Sequence, residues 1–134
     1  MATDIMALGR AVKRVQWRHH RGLDRRLAAL GTTITQWDAL RAISEVPGAS
    51  AHDLAQRTFM SDQAFGTLAN RLGAQDLIAR VPGVGRRIEH RLTPAGEGLL
   101  ADASVIARQF VTVQFADLSE SERETLLALL LRLV

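Results

Sequence analysis

The sequence contains no cysteine, which excludes disulfides, thiolate catalysis, cysteine-based redox sensing and thiolate metal sites together. No apolar run approaches the ~18 consecutive residues of a membrane span, and the N-terminus carries no signal-peptide pattern. A cytoplasmic protein without a membrane partner is therefore expected. The sequence also lacks a nucleophile elbow, a phosphate loop, a zinc-binding helix pair and a convergent carboxylate pair, and has only four histidines. An enzyme is not expected; a Ser and a His brought together by folding alone is the one arrangement the sequence leaves open. Two of the histidines, His19 and His20, are adjacent and would point roughly 100° apart on a helix with no acidic cluster in register. Neither a metal nor a cofactor is expected. Lysine is nearly missing as well: of 17 basic residues only Lys13 is a lysine. No internal repeat or low-complexity tract occurs.

What is present is a chain of 134 residues, a single-domain length, with 47% hydrophobic residues and a net charge of +3. Its basic side chain is arginine, whose planar fork fits phosphates and guanine edges bidentately. A GC-rich coding bias would give the same composition, so the distribution of charge matters more. Residues 1–46 carry 8 basic and 4 acidic side chains, 47–93 carry 6 and 4, and 94–134 carry 3 and 6. The acidic C-terminal part is expected to face away from a polyanion.

From Ile5, apolar residues recur at Leu8, Val12, Val15, Leu23, Leu27 and Leu30, a helical stripe ending at Gly31 and weakened locally by Gly22. The spacing predicts a second helix over Thr35 to Val46, capped by Thr35, with Trp37, Leu40, Ala42 and Ile43 packed and Pro47-Gly48 as the break. Ser50 with Asp53 opens a short helix, and Ser61 caps another after the Thr58 to Met60 turn. On that fourth helix Phe65, Leu68, Ala69 and Leu72 share one face, while Gln63, Gly66, Thr67, Asn70 and Arg71 lie on or flank the other. Leu77 to Val81 and Ile88 to Leu92 read as strands around Pro82-Gly83-Val84-Gly85, with Arg86 and Arg87 at the hairpin tip. Pro94 after Thr93 begins a long helix with Leu99, Ala103, Ile106, Phe110 and Val113 in register, and Ser119 to Glu122 is a capping box before a leucine-rich last helix.

This order predicts a mainly α fold with a small β-hairpin wing: a winged helix-turn-helix over residues 34–93, with residues 1–33 and 94–134 as flanking helices of the same domain. The flanking helices carry more apolar surface than a small reader domain covers. They either pack on one another within one chain or form a homodimer whose two readers lie about one DNA turn apart.

At this level of detail the chain resembles the MarR-type transcriptional regulators over nearly its whole length. The resemblance is carried by Ile34-Thr35-Gln36-Trp37 with Leu40-Arg41-Ala42-Ile43, by His52-Asp53-Leu54-Ala55, by Leu68, Asn70-Arg71-Leu72 and Asp76-Leu77-Ile78, and by Arg87 with Leu92-Thr93-Pro94-Ala95-Gly96. It implies an obligate homodimer in which the first, fifth and sixth helices form the dimerisation domain and each winged helix reads a half-site of double-stranded DNA. It also implies a small aromatic ligand held between dimer domain and reader, near Trp17, His19, His20 and Trp37. The chain departs from the family where a Thr-Arg pair is common and Gly66-Thr67 stands, where Asp-Arg is frequent and Asn70-Arg71 stands, and in the wing, where Gly85 replaces an aspartate that commonly precedes the arginine.

The residues themselves nominate the contacts. Gln63 and Asn70 can pair bidentately with adenine, Thr67 can meet a thymine methyl, and Arg71 suits phosphate. Gly66 either lets the backbone approach DNA closely or is merely tolerated, and Ser61 is a phosphate ligand or only a cap. Arg86 and Arg87 can reach the adjacent minor groove. Trp17, His20 and Trp37 are the ligand candidates, against simple core packing for the tryptophans. The expected function is a sequence-specific DNA-binding regulator, a repressor on a pseudopalindromic operator; the alternative is a winged-helix protein-interaction module with only non-specific DNA affinity.

Overall fold

A computed structural model describes residues 1–134. The first helix, α1 (Ile5–Leu27), starts where Asp4 Oδ1 accepts from the amides of Met6 and Ala7 at 3.0 and 3.2 Å. It stops at Leu27, short of the expected Leu30, because the chain tightens into a 3-10 turn (Ala28–Leu30) before Gly31 turns left-handed at φ 71°. Helix α2 (Ile34–Glu45) begins one residue before Thr35: Thr33 is its cap, accepting from Gln36 N at 3.1 Å, and Asp24 of α1 accepts from Ile34 N at 2.8 Å. A cap supplied from another helix has no signature in local sequence.

Helices α3 (Ala51–Arg57) and α4 (Asp62–Ala74) follow, then the antiparallel strands β1 (Ile78–Pro82) and β2 (Ile88–Leu92), paired from Ile78 with Leu92 to Pro82 with Ile88. Leu77, expected in the first strand, instead closes α4 by donating its amide to Leu72 O at 3.0 Å, and its carbonyl accepts from Thr93 N at 3.1 Å. Helix α5 (Pro94–Gln114) is capped by Thr93 with Pro94 in the first turn, and α6 (Glu120–Leu131) by the reciprocal box between Ser119 and Glu122.

Two clusters form the core. Leu40 and Ile43 of α2, Leu54 of α3, Phe65 and Leu72 of α4 and Ile78 of β1 make the larger one, which fixes the reader helix and the root of the hairpin. Leu23 and Leu27 of α1, Ile34 of α2 and Ala103 and Ala107 of α5 make the other. Each large side chain so buried is worth about 1.5–3 kcal/mol. Gly22 is a packing requirement here rather than a weak point: a β-carbon there would stand 2.5 Å from the Phe110 ring. Gly96 is more constrained still, since its β-carbon would fall on the Leu77 carbonyl.

The remaining apolar surface is uncovered. Ile5, Leu8, Val12 and Val15 of α1 are about half exposed or more, Val113, expected on the packed side of α5, is 66% exposed, and no residue of α6 is buried. Val111, Phe115, Leu126, Leu127 and Leu130 line a groove of about 490 Å³ between α5 and α6. No helix is long and apolar enough to cross a membrane.

Candidate nucleic-acid interface

The α3–turn–α4 unit is assembled by short-range bonds. Ser50 Oγ accepts from Asp53 N at 3.2 Å, Thr58 Oγ1 returns to Leu54 O at 2.8 Å, and Met60 N reaches Ala55 O at 2.9 Å. Ser61 Oγ then accepts from Ala64 N at 3.1 Å and starts α4, so its hydroxyl works as a cap and its helix's first amides face solvent. The turn between them holds Phe59 at φ 58°, a left-handed conformation that costs an aromatic residue ~1–2 kcal/mol, with the side chain 97% exposed.

One link that the sequence does not disclose is His52 Nδ1, which lies 2.9 Å from Asp62 Oδ1 and joins the start of α3 to the first turn of α4. That hydrogen bond and the Asp62 charge raise the His52 pKa above its ordinary value. A His ten residues from an acid, across a turn, becomes visible only once both helices have directions.

Phe65, Leu68, Ala69 and Leu72 are all buried, and Gln63, Thr67, Asn70 and Arg71 are all exposed, as the periodicity predicts. Two of the exposed polar groups are already engaged. Thr67 Oγ1 donates to Gln63 O at 3.1 Å, and Asn70 Oδ1 accepts from Arg80 Nη1 of β1 at 2.7 Å. The bidentate adenine contact expected for Asn70 needs that carbonyl, so in this geometry it competes with a charged donor. Gly66 is unconstrained by packing, since a β-carbon there would meet nothing within 4 Å, and it borders a cleft of about 270 Å³ shared with Arg80, Arg86, Arg87 and His90.

The hairpin is held against the reader by His90 of β2, which is 3% exposed and meets Phe65 edge-on at 6.0 Å between centroids. Its Nδ1 has no hydrogen-bond partner. Burial lowers its pKa, the Ala49 backbone opposes that shift, and Arg80 adds to it, so the ring is neutral at pH 7. At the tip, Gly83 N donates to Arg87 O at 2.7 Å and Gly85 adopts φ 68°. Arg86 is exposed, and Arg87 reaches Asp53 of α3 at 3.6 Å. A carboxylate does orient the wing arginine, then, although it comes from another helix rather than from the position of Gly85.

The three ligand candidates are not brought into one pocket. Trp37 Nε1 donates to Ser104 Oγ at 3.3 Å, its ring lies under Arg41, and it lines an open groove of about 680 Å³ with Arg108 and Val111 of α5. Trp17, 56% exposed beneath Arg21, and His20 sit on the exposed face of α1 and do not line that groove. The helical phase of α1 explains the separation: His19 is the residue turned to α5, with Nδ1 2.8 Å from Gln114 Oε1 and its ring edge-on to Phe110.

This geometry has close counterparts among known proteins. The sequence model of the MarR family matches residues 30–87. The HTH-type transcriptional repressor Rv2887 of Mycobacterium tuberculosis is 32% identical over 84 residues, which make up 61% of this chain and 60% of that protein. The matched segment thus spans about three fifths of the curated relative. In structure, a probable transcriptional regulator from Pseudomonas aeruginosa superposes with a TM-score of 0.84 at 31% identity, over 94% of this chain and 96% of the other. Rv2887 solved with DNA gives 0.79 at 25% identity, over 94% and 96%, and solved with salicylic acid gives 0.78 at 27%, over 95% and 96%. With the winged helix-turn-helix in place and the flanking helices α1, α5 and α6 around it, this chain matches the MarR family across its reader and shares the fold of MarR proteins over nearly its whole length.

Proposed function

We propose that this protein is a sequence-specific regulator of transcription, a repressor that occupies a pseudopalindromic operator as a homodimer in the cytoplasm. The observation that carries the reading is the arrangement of α4, with one face sealed in the core and the other polar and exposed beside an arginine-tipped hairpin. In this reading residues 34–93 are the DNA-binding region, and residues 1–33 and 94–134 form the dimerisation helices. Ser61 and Arg71 meet phosphates; Gln63, Gly66, Thr67 and Asn70 face base edges; and Arg86 and Arg87 enter the adjacent minor groove. The relative solved with DNA and with salicylic acid supports both the nucleic acid and release by a small aromatic acid. The Trp37 groove along α5 is the place for that ligand, with Trp17 and His20 reaching it only if a partner or a movement of α1 brings them there. Binding of this kind requires no catalytic step.

The alternative, a protein-interaction module, draws on Thr67 and Asn70, whose polar groups already bond within the chain. One experiment separates the two: titration of the protein against its own upstream intergenic DNA and against scrambled DNA of equal length, across a salt series. A preference of ~10³ or more for the native site is expected. Equal and steeply salt-dependent binding to both would leave only the electrostatic, sequence-independent contact and favour the interaction module.

A further inference from the structure

Resting on the reading of α4 as a DNA reader, we infer that Arg80 and Asn70 act as one recognition unit that selects guanine where asparagine alone would select adenine. The Asn70–Arg80 juxtaposition carries the inference. Asn70 lies on the exposed face of α4, on the same polar side as Gln63 and Thr67. Its Oδ1 is 2.7 Å from Nη1 of Arg80, which stands on β1 opposite His90 in the hairpin register. Arginine has only donors, so the amide oxygen must face the guanidinium and the amide nitrogen must face away from it.

An adenine edge in the major groove offers one acceptor and one donor, and asparagine reads it by supplying the complementary pair. Here the oxygen that would accept from the adenine amino group already takes a charged hydrogen bond, and a second donor would arrive beside a positive guanidinium. What the unit still presents is donors: the two N–H bonds of the Asn70 amide and the unused N–H bonds of Arg80. Guanine, with acceptors at both N7 and O6, is the base edge that such a surface fits. Arg80 bears no ion pair, so its charge is not neutralised by an acidic neighbour. Arg80 is thereby a positioning residue for Asn70 as well as a donor of its own, and α4 taken alone does not disclose its part in reading.

The test is selection from randomised duplex DNA by the full chain and by three variants, Arg80→Met, Asn70→Ala and Asn70→Asp, each checked for an unchanged thermal unfolding profile. The wild type is expected to enrich a two-fold motif with guanine at one position per half-site. In Arg80→Met, preference at that position alone should move from guanine toward adenine, by about ten-fold in relative affinity. Asn70→Ala should flatten the same position to under about two-fold, and Asn70→Asp, which keeps Arg80 paired but removes the amide donors, should weaken guanine there without gaining adenine. A motif left unchanged at every position by Arg80→Met, with a uniform loss of affinity instead, would reduce Arg80 to a non-specific phosphate contact and overturn the inference while the reader itself stands. A wild type that enriches no motif would overturn the reader reading and this assignment with it.

Discussion

His90 and His52 sit on the same winged helix and titrate in opposite senses. His90 is buried between reader and wing with an unpartnered Nδ1, and its folded pKa lies below the ordinary 6.5. Unfolding therefore takes up a proton in mildly acidic solution, so the stability His90 contributes is full above 6.5 and is lost as pH falls through its lowered folded value. His52 is raised above 6.5 by Asp62, so its contribution is full below 6.5 and is lost as pH rises through the raised value. Thermal unfolding followed across about pH 5 to 8 should show both slopes. His90→Leu should abolish the acid-side loss and leave the other, whereas His52→Gln should do the reverse; an acid-side loss that survives His90→Leu would place it elsewhere. Much at this scale is readable from sequence when it depends on neighbours along the chain, as with the caps at Ser50, Ser61 and Ser119. The His52–Asp62, Arg87–Asp53 and Arg80–Asn70 pairs are not, because each joins two elements whose mutual angle no local pattern encodes.

Among the elements, α5 is placed by its first turn. Thr93 donates its hydroxyl to Asp76 O at 2.6 Å and Gly96 lies against the Leu77 carbonyl, so the last helix-to-strand connection of the reader and the start of the long helix share one contact. Gly96→Ala should cost about 1–3 kcal/mol in chemical denaturation, toward the upper end because the obstacle is backbone and cannot rotate aside. An unchanged stability, or the gain of about 1 kcal/mol that alanine ordinarily brings over glycine inside a helix, would show that the junction has room to shift. The order and type of all six helices and both strands follow from periodicity and turn residues, since each has a continuous apolar face or a Gly/Pro boundary. Where the structure differs from the periodicity within the elements, it differs at ends, Thr33 rather than Thr35, Leu27 rather than Leu30 and Ile78 rather than Leu77, and in the facing of Val113, which is exposed. At Ile34 and Leu77 a bond from elsewhere in the chain, from Asp24 and Thr93 respectively, helps to fix the boundary, whereas α1 ends because the chain tightens locally into the 3-10 turn.

For the whole molecule, the open question posed by composition is what covers the apolar faces of α1 and α6. One chain does not: Leu127, Leu129, Leu131 and Leu133 remain about half exposed or more, beside a groove lined by Phe115 and Leu130. Light scattering should therefore give twice the 14.7 kDa chain mass, and Leu127→Asp should return it to one chain mass with loss of specific DNA binding. A wild-type monomer that still discriminates its site would break the link between the two. Seen from the DNA, finally, the contact between Arg87 and Asp53 has a bearing on search. Both side chains are about half exposed and 3.6 Å apart, so the pair is weak, of order 0–1 kcal/mol. Even so, a phosphate that engages Arg87 competes with a carboxylate, and Arg87 contributes the difference between two ionic contacts instead of a whole one. On the proposed reading, a dimer sliding over unrelated sequence would be held less firmly through Arg87 than its arginine content suggests; it would leave wrong sites sooner, and the choice of where to stop would fall to α4.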